Sequence, residues 1–179
     1  MTTKQVSRNS AAQQPLAVIN RQLESYAKRG VFHSFSRIPA PTAARTQASV
    51  ATRAEFRFSW LWNLPFLMTY DRKRKAIAFP RLFPNVCTGS DLESELKAFI
   101  RKLSSRDRPE HRRLDPRRIT VRYSNRGNSG SLAFLVAGNH YDYAVKKALN
   151  AVHEIFVGFL NVQHGEYMKE NLRVEETSS

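Results

Sequence analysis

An amphipathic segment near the C-terminus constrains the fold of this chain more than any other feature. Its apolar residues recur at intervals of three and four, which places them in one stripe along a helix. They are Val145, Ala148, Leu149, Val152, Ile155, Phe156, Phe159 and Leu160. Directly before this helix, residues 119–123 alternate and residues 132–137 are apolar, so the sequence predicts two strands joined by a turn at 126–131. The helix must cover an apolar surface, and this hairpin is the nearest one.

Three further strands are predicted between residues 55 and 84. Apolar residues at every second position indicate a half-buried strand, and Phe56, Phe58, Trp60 and Trp62 follow that pattern. A turn at residues 63–65 leads to a second strand over 64–70. The third strand is predicted at 76–79, ended by Pro80 and Pro84.

A second helix is predicted to begin after Ser90. Residues 90–93 match a capping box, in which Glu93 reaches back to the backbone of Ser90. The buried stripe of this helix is predicted to consist of Leu92, Leu96, Phe99, Ile100 and Leu103.

The sequence is predicted to divide into three parts. Residues 1–54 form a basic N-terminal extension with one helix at about 15–29 and a linker. Residues 55–160 form the core domain, and residues 161–179 form a polar C-terminal tail. The apolar Val31, Phe32 and Phe35 predict that the first helix docks on the core.

The predicted fold class is α+β, in the order helix, three strands, helix, two strands, helix. One antiparallel sheet of about five strands would pack on the amphipathic helices. This order resembles that of type III secretion chaperones and their relatives, and the resemblance lies in the topology rather than in a shared motif. It implies a protein-binding adaptor or a chaperone-like dimer.

The charge of the chain is strongly positive and unevenly distributed. Its formal net charge is +14. Residues 1–54 hold eight Lys or Arg and one carboxylate, residues 55–118 hold fifteen against eight, and residues 119–179 hold six against six. A surface of this sign attracts polyanions. The alternative is a compositional bias that only keeps the protein in solution.

Two basic clusters are the candidate site residues. The tip cluster, predicted at a hairpin tip, is Arg72, Lys73, Arg74 and Lys75. The loop cluster, before the fourth predicted strand, is Arg106, Arg108, Arg112, Arg113, Arg117 and Arg118. The planar fork of arginine suits phosphate oxygens, so a nucleic-acid backbone is the expected ligand. Trp60 and Trp62 could stack bases on an open sheet, although aromatic residues in such alternation more often face the core.

The sequence offers little support for catalysis, a cofactor or a metal. His153 and Glu154 begin like a zinc-protease helix, but Val157 stands where the second histidine is needed. Residues 127–131 resemble a nucleophile elbow only superficially, because they join two strands and end in Ser131. A hairpin turn explains their glycines better. His140 with Asp142, and His164 with Glu166, could orient a ring. We expect no enzyme activity, no cofactor and no metal.

Location and partners are likewise expectations. The single cysteine, Cys87, excludes an intramolecular disulfide, and no apolar run approaches the roughly 20 residues of a membrane span. We therefore expect a cytoplasmic protein that does not associate with a membrane. Its expected partner is nucleic acid or another polyanion. The alternative is a protein partner or a second copy.

Overall fold

The computed structural model describes residues 14–39 and 53–174. In chain order, the first six elements are α1 (Pro15–Lys28), β1 (Ser34–Pro39), β2 (Arg53–Trp60), β3 (Leu64–Asp71), β4 (Ala76–Phe83) and α2 (Asp91–Lys102). There follow β5 (Ile119–Arg126), β6 (Ser129–Val136), α3 (Tyr141–His153), a π-helix (Glu154–Leu160), α4 (Asn161–Gln163) and α5 (Gly165–Leu172). The α+β class is confirmed.

The sheet has six antiparallel strands rather than about five, in the order β1-β2-β3-β4-β6-β5. The additional strand is β1, which pairs with β2 from Ser34 opposite Ser59 to Pro39 opposite Ala54. The sequence of β1 is short and rich in serine, so it does not show the apolar alternation that predicts a strand. The strand it pairs with, β2, comes well after it in the chain. Four strands therefore follow the first helix, which departs from the order on which the resemblance to secretion chaperones rested.

One face of the sheet forms the core and the other is open. The inward residues Phe56, Met68, Leu132 and Phe134 are fully buried, while their strand neighbours are partly or fully exposed. Helices α1 and α3 contact each other, and α3 also contacts β4 and β6. The predicted docking of the N-terminal helix is confirmed, because Phe32 is buried and stacks on Phe58 with ring centroids 4.3 Å apart.

Two strand boundaries differ from the prediction. The turn after β2 occupies Leu61, Trp62 and Asn63, all with positive φ, so Trp62 lies at the turn and is 37% exposed. Strand β4 continues past Pro80 to Phe83. It does so through an irregularity: the register against β6 shifts between Phe79 and Phe83, which accommodates a proline within a strand.

The long C-terminal helix changes geometry halfway along. Its predicted apolar stripe is confirmed, since every residue of that stripe is buried. After His153, however, the backbone forms a π-helix rather than continuing as α-helix. The wider turn carries rings that anchor both sides of it: Phe156 stacks on Phe83 at 5.8 Å, and Phe159 stacks on Phe99 at 5.1 Å.

The N-terminus of α2 is closed by a buried carboxylate. Glu93 is 2% exposed, and its backbone N–H donates to the Ser90 hydroxyl at 3.2 Å, as in a capping box. Its carboxylate accepts a hydrogen bond from the backbone N–H of Gly89 at 2.8 Å, one residue before the predicted Ser90. The side chains of Asn125 and Lys97 also contact it, at 3.0 and 3.2 Å. Glu93 thus joins α2 to β5.

We expect Glu93→Gln to lower the melting temperature, by roughly 5 to 10 °C at pH 7, because a charged acceptor is replaced by a neutral amide. The hydrogen bond from Gly89, then Asn125 and Lys97, lower the pKa of Glu93 to about 2. Since the folded pKa lies below the unfolded one, this stabilisation is complete above pH 4.5 and is lost as the pH falls toward 2.

Thermal melts of wild type and variant between pH 2 and 7 measure both effects. Asp91→Asn is the matched control, because Asp91 is an exposed acid in the same first turn. Equal losses for the two variants would contradict a special role of the buried carboxylate.

Candidate functional site

The tip cluster and the C-terminal part of the loop cluster lie at the same end of the sheet. Strand β6 ends there, between β4 and β5. The backbone N–H of Val136 donates to the carbonyl of Lys75 at 2.8 Å, and that of Ala137 donates to the carbonyl of Arg118 at 2.9 Å. Lys75 and Arg118 therefore flank the end of one strand, about 10 Å apart at the backbone. We call this the basic end.

The tip cluster forms the turn between β3 and β4, as predicted. All four side chains are exposed, and among the described residues no carboxylate lies within ion-pair distance of them. The nearest acid is Asp71, which already pairs with Arg53 at 3.1 Å. Although partial burial opposes it, the backbone N–H of Arg74 and the charge of Arg53 lower the pKa of Asp71. The positive charge of the tip cluster is thus not neutralised locally.

Much of the loop cluster lines a single cavity. This cavity has a volume of about 530 Å³ and is bordered by Arg106, Arg113, Arg117 and Arg118. The loop that carries them is held to α3, because the backbone N–H of Asp115 donates to the Tyr143 hydroxyl at 2.9 Å. The guanidinium group of Arg118 also lies over the Tyr143 ring, 5.0 Å from its centroid. The arginines are therefore presented by a loop that is fixed to the core.

Two members of the loop cluster are engaged with acids. Arg108 is partly buried and pairs with Glu154 at the start of the π-helix, so its charge is directed into the protein. Arg118 lies 3.5 Å from Asp115, in an exposed pair that leaves most of its surface accessible. Arg112 is exposed beside them.

Lys147 is a basic residue of this site that sequence reasoning missed. It lies on α3, lines the same cavity, and donates from Nζ to the backbone carbonyl of His111 at 2.7 Å. The pKa of Lys147 is lowered, mainly by burial. The carboxylate of Glu154 acts to raise this pKa, and the charge of Arg108 acts to lower it further. Nothing in its local sequence could have indicated the site, because the loop folds back over α3 from more than 30 residues away.

The open sheet face extends the basic surface away from the tip cluster. A trough of about 810 Å³ crosses this face, with small residues such as Ala78 and Ala133 at its base. Arg74 from the tip cluster lines it, together with Arg122 and Arg126 of β5, and it also contains Glu55 and Asp71. The period of two in β5 could have shown that Arg122 and Arg126 share the face opposite Ile119.

The remaining sequence motifs do not form a reactive site. Gly127 and Asn128, both with positive φ, make the hairpin turn, whereas Gly130 lies inside β6. His164 pairs with Glu95 at 2.8 Å rather than with Glu166, and Asp142 accepts from Lys146 rather than from His140. In residues 14–39 and 53–174, no group of three or more His, Cys, Asp and Glu side chains could hold a metal ion. Across that same part of the chain, no helix has the length and apolar character needed to cross a bilayer.

The comparisons with known proteins give no family. The chain matches no protein-family model, and neither the curated proteins nor the solved structures include one that is significantly similar to it.

Proposed function

We propose that this protein binds a polyanion, namely the phosphate backbone of nucleic acid, through the basic end. The observation that carries the proposal is the pair of backbone hydrogen bonds from Val136 and Ala137, which hold Lys75 and Arg118 on either side of one strand end. The tip cluster and Arg117 and Arg118 of the loop cluster, which are more than 40 residues apart in sequence, thereby lie beside each other. Their spacing of about 10 Å is comparable with the width of a DNA major groove, about 12 Å, so both can contact one duplex.

We expect the protein to contact the phosphates of the nucleic acid rather than its bases. Trp60 is 8% exposed and lies in the core against Phe66, with ring centroids 5.5 Å apart, so it cannot stack on a base. Trp62 is exposed, but it lies at the opposite end of the sheet from the tip cluster. The described strands β2 to β6 carry no aromatic residue on their open face. Single-strand binding proteins depend on such stacking platforms, so a duplex bound without sequence preference fits better.

A salt series tests this proposal. Anisotropy of a labelled 24-base-pair duplex of mixed sequence, titrated at 50 to 300 mM KCl, should give a dissociation constant of about 1 µM or tighter at the lowest salt. Because several phosphates exchange their counterions, we expect the logarithm of affinity to fall with a slope of about −4 to −6 against the logarithm of salt. Absence of binding at 50 mM KCl would contradict the proposal.

A second candidate is a protein-binding adaptor or dimer. It is favoured by the open sheet face, where the aliphatic residues Leu67 and Leu135 are only partly covered. Light scattering after size exclusion, together with the anisotropy titration, discriminates between the adaptor and the polyanion binder. A concentration-dependent dimer that does not bind DNA supports the adaptor. A monomer that binds DNA supports the polyanion proposal.

A further inference from the structure

A second cavity opens at the end of the sheet opposite to the basic end. The ladder between β3 and β4 covers Thr69–Asp71 and Ala76–Ala78, and beyond it the two strands do not pair with each other. A cavity of about 790 Å³ lies between them. It is lined mainly by apolar side chains, among them Leu64, Phe66, Leu67, Leu82, Phe156 and Leu172. A concave apolar space of this size is typical of a small-molecule site.

The walls of this cavity are fixed by contacts on three sides. Phe156, from the π-helix, packs on Phe66 with centroids 5.4 Å apart. Helix α5 is tied to the chain after β4, since the Tyr167 hydroxyl donates to the carbonyl of Pro84 at 2.8 Å and Asn85 donates to Asn171 at 2.9 Å. The cavity is therefore formed before any ligand arrives, which limits the ordering cost of binding.

Two arginines give the cavity a cationic rim. Arg81 and Arg173 both line it and both are exposed, and none of the described residues that line it is acidic. Within the part of the chain that the structure describes, neither guanidinium group has an ion-pair partner. Both backbones have positive φ, 52° and 54°, a conformation that few residues other than glycine adopt. The backbone N–H of Arg81 donates to the Ser131 hydroxyl at 3.0 Å, which holds this conformation.

We propose that this cavity binds a free fatty acid, with the acyl chain between β3 and β4 and the carboxylate on Arg81 and Arg173. Charge complementarity supports this ligand: the lining is mainly apolar, and among the described residues its charged side chains are the two arginines at the rim. A planar guanidinium can donate two parallel hydrogen bonds to a carboxylate. The same hydrogen bonds to a neutral head group are weaker.

Calorimetric titration of the full chain with sodium laurate at 150 mM salt tests the proposal. We expect a dissociation constant on the order of 10 µM, and an affinity that rises about 4-fold for each methylene added between octanoate and laurate. Dodecanol, which has the same chain but no charge, should bind at least about 10-fold more weakly. Equal affinities for laurate and dodecanol, or no laurate binding at 1 mM, would overturn the proposal.

Variants separate this site from the basic end. Arg81→Gln combined with Arg173→Gln should weaken laurate about 10-fold and leave dodecanol unchanged. Leu67→Glu places a carboxylate in the cavity wall and should weaken both ligands; Leu67 is only partly buried, so the fold should tolerate it. Replacing the tip cluster should leave laurate binding unchanged, so failure here is distinct from failure of the polyanion proposal. If the double variant at Arg81 and Arg173 bound laurate as tightly as wild type, the proposed carboxylate site would be overturned.

Discussion

Replacing all four residues of the tip cluster with glutamine should weaken duplex binding by roughly 100-fold at 100 mM KCl and reduce the salt slope by about 3 to 4. The physical reason is that each of these four exposed side chains lacks a carboxylate partner among the described residues and is free to displace a counterion from a phosphate. Folding stability should change by less than about 0.5 kcal/mol, because the replaced groups are solvated in both states. Anisotropy titrations and thermal melts measure the two quantities.

The matched control removes four positive charges from the opposite end of the sheet. Glutamine at Lys28, Arg81, Lys169 and Arg173, which lie outside the basic end and the trough, gives the same net charge as the tip variant. If binding depended only on the net charge of the molecule, the two variants would lose affinity equally. We expect the control to lose less than about 5-fold, through the general field alone. Equal losses would contradict a localised site.

Gly130→Ala should destabilise the fold by about 2 to 3 kcal/mol, equivalent to a fall of roughly 5 to 10 °C in melting temperature. A Cβ atom at this position would lie 2.9 Å from the ring and the hydroxyl of Tyr123 and 3.1 Å from the ring of Phe83. Tyr123 lies over the bare backbone and donates from its hydroxyl to Glu93 at 3.3 Å. The added methyl group would displace the ring and break that hydrogen bond. Thermal and urea unfolding measure the loss.

Gly158→Ala is the control for this prediction, because a Cβ at Gly158 meets nothing within 4 Å and its backbone is helical. It should be neutral, or stabilising by up to about 1 kcal/mol. A Tyr123→Leu background tests the mechanism: the cost of Gly130→Ala should fall there by about 1 kcal/mol or more. An unchanged cost in that background would show that Tyr123 is not the obstacle.

The period of apolar residues predicts most of the fold but not its irregular parts. Helical and strand periods are local signals, and they identify α2, the hairpin of β5 and β6, and the buried stripe that ends at Leu160. Strand β1 is missed because its pairing with β2 spans an intervening segment of chain. The continuation of β4 through Pro80 is missed because a bulge depends on the neighbouring strand. The π-helix is missed because its apolar stripe has the same spacing as that of an α-helix.

The candidate site shows the same division between local and long-range information. The tip cluster is continuous in sequence, and its place in a turn follows from the strands around it. The juxtaposition with Arg117 and Arg118 depends on β6 lying between β4 and β5, which the sequence does not specify. The engagement of Arg108 by Glu154, and the position of Lys147 in the loop cavity, likewise arise from contacts between distant segments.

Titration of the isotope-labelled protein with the mixed-sequence duplex, followed through its backbone amide NMR signals, tests the central claim most directly. We expect the largest shifts at residues 72–75 and 112–118 together, saturating with one dissociation constant, because both groups flank the end of β6. Shifts confined to one group, spread over the whole surface, or centred on the cavity end of the sheet would contradict a single phosphate-binding surface at the basic end.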